Sequence, residues 1–339
     1  MPKFLKHEVV GKILEIGLLP VFYNGDVEVA KKIVQACADG GARVIEFTNR
    51  GDFAYQVFSE LSKWSNLESS DIILGAGTII DPATAALYIN CGANFIVGPL
   101  FNPDVAKTCN RRKVPYIPGC QSPSEISAAE EMGADIVKLF PAKVVTPTFI
   151  SAILGPCGWT KLMASGGVEA TREDVSTWVK AGASALNLGS DLIRRDLVKA
   201  GDFEGVRKMV EQCVMWIKEA RGDPLFLGVE HVALYPTDKV PADEVSEWYA
   251  KTFGFAKTEG RSSFFVSGRG SGRIEIIKTP EENVKCHIAI QVSNFEGACK
   301  YLQEKGIELE EPAIKKNVKA AYLKKPDPVG NRIHIFYQG

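Results

Sequence analysis

The chain has 339 residues, 45% of them hydrophobic, with 40 basic against 41 acidic side chains and a net charge of −1. That length can bury two sizeable cores, and so balanced a charge gives no field to hold nucleic acid or an anionic membrane surface, which leaves small molecules as the expected partners. The eight cysteines (37, 91, 109, 120, 157, 213, 286 and 299) include no CxxC pair and read as the reduced thiols of a cytoplasmic protein, and no run reads as a leader or membrane span.

From Leu19 to about Leu192 one pattern recurs: a short β-rich run, a turn with Pro, Gly, Asp or Ser, then an amphipathic helix ending in Gly. The strand runs are PVFY, ARVIEFT, DIILGAGT, ANFIVGP, VPYIPGC, ADIVKLFP, TKLMASGG and SALNLGS. Helical patterns such as DVEVAKKIVQACADGG and SPSEISAAEEMG lie between them, and four of the intervening segments close on Gly-Ala at Gly41-Ala42, Gly92-Ala93, Gly133-Ala134 and Gly182-Ala183. Asp202 to Arg221 supplies the eighth helix. Nearly all-apolar strands alternating with helices predict a parallel sheet covered by helices, and eight units close a (β/α)8 TIM barrel, with a doubly wound open sheet as the competitor.

Arg221-Gly222-Asp223-Pro224 reads as a linker, so the domains are expected at 1–223 and 226–339. Beyond it come a strand at Leu227 to Tyr235, a helix at Pro241 to Phe253, and the strand runs FAKTEG, SSFFVSGR and GRIEIIK. The order repeats with CHIAIQV, the helix NFEGACKYLQEKG, and the runs IELEEPAI, VKAAYLKK and NRIHIFYQ. Two βαβββ units predict an α+β domain; the SGRGSGR stretch within it has no following helix and reads as a hairpin connection, not a phosphate loop.

A barrel places its active site at the carboxyl ends of its strands. Glu46, Thr48 and Arg50 fall two apart on one face of the second strand, Thr78 ends the third, and Lys138 sits inside the otherwise apolar ADIVKLFPA of the sixth. An amine so crowded is partly neutral near pH 7 and can attack a carbonyl to form a Schiff base, with a carboxylate nearby to move protons and an arginine to clamp an anion. The bland alternative is a structural Glu46–Lys138 ion pair, with Arg50 and Thr78 as ordinary loop-edge residues. Ser165-Gly166-Gly167 and Gly189-Ser190 end the seventh and eighth strands, where exposed backbone amides bind phosphate in barrels.

VIEFTNR, GAGT, PGCQSPSE, VKLFPA, ASGGV and LGS, over about residues 10 to 215, together resemble the 2-keto-3-deoxy-6-phosphogluconate aldolase family, which includes 4-hydroxy-2-oxoglutarate aldolase. The resemblance implies a metal-free class I aldolase with Lys138 as Schiff-base nucleophile and Glu46 as general acid/base. Arg50 and Thr78 would hold the carboxylate end of a keto-acid substrate, and Pro99 and Phe140 would line the pocket. Ser165, Gly166, Gly167, Gly189 and Ser190 would surround a distal phosphate. It also implies a homo-oligomer, commonly a trimer. The chain departs from the family's usual residues at Lys143, at Gly98 to Leu100 and at Ser165.

Three of the four histidines, His231, His287 and His334, lie in strands of the second domain, and Glu275 lies in another. Each has an apolar residue on one or both sides in sequence and so faces away from an apolar layer, and the four occupy the first and last strands of the two repeats. GVEHVAL, GRIEII, CHIAIQV and DPVGNRIHIF, over roughly residues 226 to 338, resemble the glyoxalase, bleomycin-resistance and extradiol-dioxygenase superfamily, the vicinal oxygen chelate fold. That resemblance implies a divalent metal held by His231, Glu275, His287 and His334, the last standing where a carboxylate is usual. For the whole chain, two other readings stay open: a phosphate-binding barrel isomerase in which Lys138 is an electrostatic group, and a non-catalytic ligand-binding or scaffold protein.

Overall fold

The computed structural model describes residues 3–68, 71–236, 240–268, 272–279, 286–315, 318–328 and 330–338. The chain divides into two compact units, Met1–Gly222 and Asp223–Gly339.

The first unit runs α1 (Lys6–Ile16), β1 (Leu18–Phe22), α2 (Val27–Asp39), β2 (Val44–Thr48), α3 (Ala54–Glu68), β3 (Ile73–Gly77), α4 (Pro82–Asn90), β4 (Ile96–Val97), α5 (Pro103–Arg112), β5 (Tyr116–Ile117) and β6 (Gly119–Cys120). It continues α6 (Pro123–Glu131), β7 (Val137–Leu139), α7 (Ala142–Leu154), β8 (Leu162–Ser165), α8 (Arg172–Lys180), β9 (Ala185–Leu188), α9 (Arg195–Ala200) and α10 (Phe203–Arg221). All strand pairs are parallel, in the order β5-β4-β3-β2-β1-β9-β8-β7-β6.

The run VPYIPGC, expected as one strand, is two, because the Pro118 nitrogen carries no hydrogen to continue a ladder. Its first half pairs with β4 and its second with β7, while the Lys138 N–H reaches the Pro118 carbonyl at 2.8 Å. The strand order therefore closes on itself, and the sheet is the expected (β/α)8 barrel.

Local chemistry sets the ends of its elements. At Gly133, with φ of 84°, the Ala134 N–H turns back to the Ala129 carbonyl at 3.1 Å. This left-handed closure suits a residue without a β-carbon, and it delivers the chain into the next strand. Equivalent closures end at Ala42, Ala93 and Ala183. At the other end of each unit, Asp26, Asp81, Asn102, Ser122 and Thr171 cap the helices that follow the strands, fixing the loops that form the site's rim.

Two helices went unread in the sequence. The short α9 precedes the expected eighth helix, and α1 buries Val9, Ile13 and Ile16 along one stripe. Lys6 of α1 pairs with Asp135 at 2.8 Å and donates to the Gly133 carbonyl at 3.0 Å, just ahead of β7. That places α1 at the amino-terminal end of the strands and leaves the opposite end for chemistry.

The second unit holds β10 (Phe226–Leu234), α11 (Ala242–Phe253), β11 (Ala256–Glu259), β12 (Ser263–Ser267), β13 (Arg273–Ile277), β14 (His287–Val292), α12 (Phe295–Glu304), β15 (Ala313–Lys315), β16 (Val318–Tyr322) and β17 (Arg332–Gln338). One eight-stranded sheet runs β11-β12-β13-β10-β14-β17-β16-β15. Each repeat pairs its first strand in parallel with its last, and the two repeats join through antiparallel β10 and β14. Two small cores form, one around Phe295, Leu302 and Ile335 and one around Phe264, Val266 and Ile276. The SGRGSGR stretch joins antiparallel β12 and β13, although its residues 269–271 lie outside the described ones. IELEEPAI contributes to β15 only its last two residues, Ala313 and Ile314, with one isolated bridge at Leu309.

Candidate active site and a histidine cluster

Lys138 is the centre of the three-residue strand β7, between Val137 and Leu139, and is 7% exposed. Burial pushes its amine below the ordinary lysine value; the Glu46 carboxylate opposes the shift and the Arg50 cation adds to it. Its Nζ stands 5.0 Å from the centroid of the Phe140 ring. Among the described residues Lys138 has no ion pair within 4.0 Å, so the structural Glu46–Lys138 pair left open by the sequence is not formed.

Glu46 lies in the middle of β2 at 1% exposure, in register with Val21 of β1 and Gly75 of β3. Its Oε2 accepts a hydrogen bond from Asn187 Nδ2 at 3.0 Å. Its Oε1 lies over Gly77, where a β-carbon would come within 1.7 Å of it. Asn187 also donates to the Leu19 carbonyl at 3.0 Å and accepts from Ser165 Oγ at 2.6 Å. The Ser165 hydroxyl hydrogen is thus engaged with Asn187 and is not free for a distal anion.

Glu46, Arg50, Thr78, Pro99, Lys138, Phe140, Ser165, Gly166, Gly167, Gly189 and Ser190 line one cavity of about 670 Å³. The structure therefore brings all of the barrel's expected site residues together. The same cavity includes Asn187, Arg195 and Lys199, which the sequence reading passed over. Arg195 and Lys199 are four apart on α9 and share a face, a spacing that could have been read.

A family model described as KDPG and KHG aldolase matches residues 9–209, more than half of the chain. The chain belongs to this aldolase family. It is accordingly a carbon–carbon lyase of the aldehyde-lyase type. The 2-dehydro-3-deoxy-phosphogluconate aldolase of Treponema pallidum is 31% identical over 198 residues, covering 58% of this chain and 91% of that protein. The KHG/KDPG aldolase of Escherichia coli K12 is 28% identical over 205 residues, 60% of this chain and 93% of that protein. In fold, the barrel matches a crystal structure of KDPG aldolase from Legionella pneumophila with pyruvate captured as a covalent carbinolamine. The TM-score is 0.55 at 22% identity, over 60% of this chain and 96% of that one.

Outside the matched aldolase residues, the second unit gathers His231, His287 and His334, each buried, with one ring nitrogen from each within 4.8 Å of the others. His231 Nε2 lies 3.1 Å from His287 Nε2 and 3.1 Å from Glu275 Oε2, and His287 Nε2 lies 3.7 Å from the same oxygen. The far sides of these groups are supported: His231 Nδ1 by Glu230, His287 Nδ1 by the Tyr235 hydroxyl at 2.8 Å, and Glu275 Oε1 by Ser263 Oγ at 2.5 Å. Burial works against the charge on Glu275, but the hydrogen bonds from His231, His287 and Ser263 outweigh it and hold the carboxyl well below its usual range. His334 differs: both of its ring nitrogens are buried without a hydrogen-bond partner among the described residues, and burial, with His287 and His231 beside it, pushes its pKa down to about 4.

Glu230 also escaped the sequence reading. Strand alternation puts neighbouring residues on opposite faces, but the pairing of β10 with β14 shifts register between Val229 and His231. That irregularity brings Glu230 alongside His231, and its other oxygen pairs with Arg273 at 2.9 Å.

Proposed function

We propose that the barrel is a Schiff-base aldolase that cleaves a 2-keto-3-deoxy sugar acid of the 6-phosphogluconate type, or 4-hydroxy-2-oxoglutarate, to pyruvate and an aldehyde. One observation carries the reading: a buried lysine whose amine is held below its ordinary pKa shares a cavity with a buried carboxylate and an arginine. Neutral Lys138 adds to the C2 ketone and, with loss of water, gives a protonated imine. That imine accepts the electron pair of the C3–C4 bond as Glu46, through a water, takes the C4 hydroxyl proton and the aldehyde leaves. Glu46 then returns a proton to C3 of the enamine, and hydrolysis frees pyruvate and Lys138. Arg50 and Thr78 hold the substrate carboxylate, Pro99 and Phe140 pack on its chain, and the amides of Gly166, Gly167 and Gly189, with Ser190, take the distal phosphate. None of these steps calls on a metal.

Borohydride reduction in the presence of pyruvate, followed by peptide mass spectrometry, tests this assignment. The adduct is expected on the Lys138 peptide; an adduct elsewhere, or none, overturns it. The isomerase and scaffold alternatives both require no adduct.

For the second unit, whose repeats resemble the vicinal oxygen chelate fold, we propose one divalent metal held by His231, Glu275, His287 and His334. The buried nitrogens of His334, without a hydrogen-bond partner among the described residues, and the inward-facing Nε2 and Oε2 atoms support the fit. Three imidazoles with one carboxylate suit zinc, nickel or iron(II) ahead of magnesium or calcium. When bound, such an ion supplies Lewis acidity toward an oxygen of a ligand. No helix among the described residues is long and apolar enough to cross a membrane. We further propose a cytoplasmic homo-oligomer, a trimer by the resemblance, which light scattering tests.

A further inference from the structure

We infer that Asn187 is a positioning residue for the acid–base step: it fixes the Glu46 carboxylate so that one oxygen only accepts a hydrogen bond and the other carries the proton traffic. The inference rests on the Schiff-base reading.

The register of the barrel makes the arrangement. Ser165 of β8 stands beside Asn187 of β9, Asn187 beside Leu19 of β1, and Val21 of β1 beside Glu46 of β2. Strands β8, β9 and β2, with β1 between the last two, therefore present Ser165, Asn187 and Glu46 in a row along the cavity. All three side chains are at least 96% buried, so their polar atoms depend on one another.

The orientation of the Asn187 amide follows from its surroundings. A backbone carbonyl can only accept, so the side facing Leu19 O, 3.0 Å away, is the NH2 side. Its two hydrogens are then divided between the Leu19 carbonyl and Glu46 Oε2, the latter also at 3.0 Å. The amide oxygen accepts from Ser165 Oγ at 2.6 Å, which locks the amide from its other side.

Glu46 Oε2 thus faces a donor and cannot hold a hydrogen toward it. Oε1, lying over Gly77, is left as the atom that exchanges protons with water and substrate. A hydrogen bond donated to a carboxylate is worth more than one between neutral groups. Here it selects one rotamer of a buried acid and one of its two oxygens.

Pyruvate C3 hydrogen exchange in D2O isolates this step, because it requires the imine, the enamine and the proton carrier but no aldehyde. Borohydride trapping counts competent sites, so exchange is expressed per trapped site. In Asn187→Ala, trapping is expected to stay near stoichiometric while per-site exchange and kcat fall together about ten- to a hundredfold, with KM within about twofold. Asn187→Asp keeps the shape and the Ser165 contact, so it serves if the alanine variant does not fold. Its carboxylate opposite Glu46 is expected to lower per-site exchange at neutral pH, with recovery toward acid as the added carboxyl gains a proton and can donate. Per-site exchange within about twofold of wild type in the variant that folds overturns the inference. Loss of trapping in the wild-type protein overturns the Schiff-base reading instead.

Discussion

Gly77 and Glu46 are fitted to each other. A β-carbon at Gly77 would lie 1.7 Å from Glu46 Oε1 and 2.5 Å from its carboxyl carbon, although the two residues belong to different strands. The glycine of GAGT therefore clears the space in which the carboxylate stands.

Gly77→Ala tests that fit. The carboxylate must swing away, and a displacement of about 1 Å at a reacting group can cost about a hundredfold. We expect kcat to fall by roughly that factor, with pyruvate trapping on Lys138 retained. Steady-state kinetics alongside a trapping assay measures both. Unchanged kcat means that Oε1 does no chemistry.

Glu46→Gln keeps the size of the side chain and removes the proton carrier. Turnover should drop by roughly two to four decades, in the range seen for general acid–base groups, while the imine still forms. Turnover near wild type would mean that Glu46 serves the fold alone.

Lys138 ties the pH dependence of stability to its function. Its folded pKa lies below the ordinary 10.5, so across the interval between the two values the unfolded chain binds more protons. Stability therefore climbs as pH rises through that window and levels off above it; below the window, burial of the cation costs stability in full. Lys138→Met removes that cost and should raise Tm at pH 7, by roughly 2–4 °C for each kcal/mol relieved, while turnover is abolished. Calorimetry from pH 7 to 10 reads it: the gap between variant and wild type should narrow as pH rises. A lower Tm in the variant would contradict the assignment.

The second unit gives a separate experiment. Protein purified without chelator should carry about one equivalent of divalent metal per chain, and a His231→Ala/His287→Ala double variant little or none. Added metal should raise the Tm of the wild-type protein, but not of the double variant, by mass action, and chelation should leave retro-aldol turnover unchanged. Equal, substoichiometric metal in both proteins, after incubation with zinc, nickel and iron(II), would leave the domain as a metal-free binding or assembly module.

What could be read without coordinates was whatever the period of a strand or helix carries. Lys138 stood out because Val137 and Leu139 flank it with apolar bulk, and Glu46 and Arg50 because a pleat aligns residues two apart. Asn187 did not, since its partner Glu46 is 141 residues away and only the barrel's register makes them neighbours. Glu230 was hidden by the very alternation rule that exposed His231, because a local shift of register overrides the rule there. The break at Pro118 was visible as a proline in VPYIPGC, but its effect on pairing depends on which neighbours each half meets.

The break also lies inside the weaker of two unequal arcs of the barrel wall. β1, β2 and β3 are five residues long, whereas β4, β5 and β6 have two each. Fewer ladder bonds brace the second arc, so the amides of β4, β5 and β6 should exchange with deuterium ahead of those in the first. Pro99 follows β4 on the looser side, and Glu46 stands in the stiffer one. If the short arc exchanges first, local opening of the wall is expected to begin beside Pro99 and to leave the strand that carries Glu46 paired.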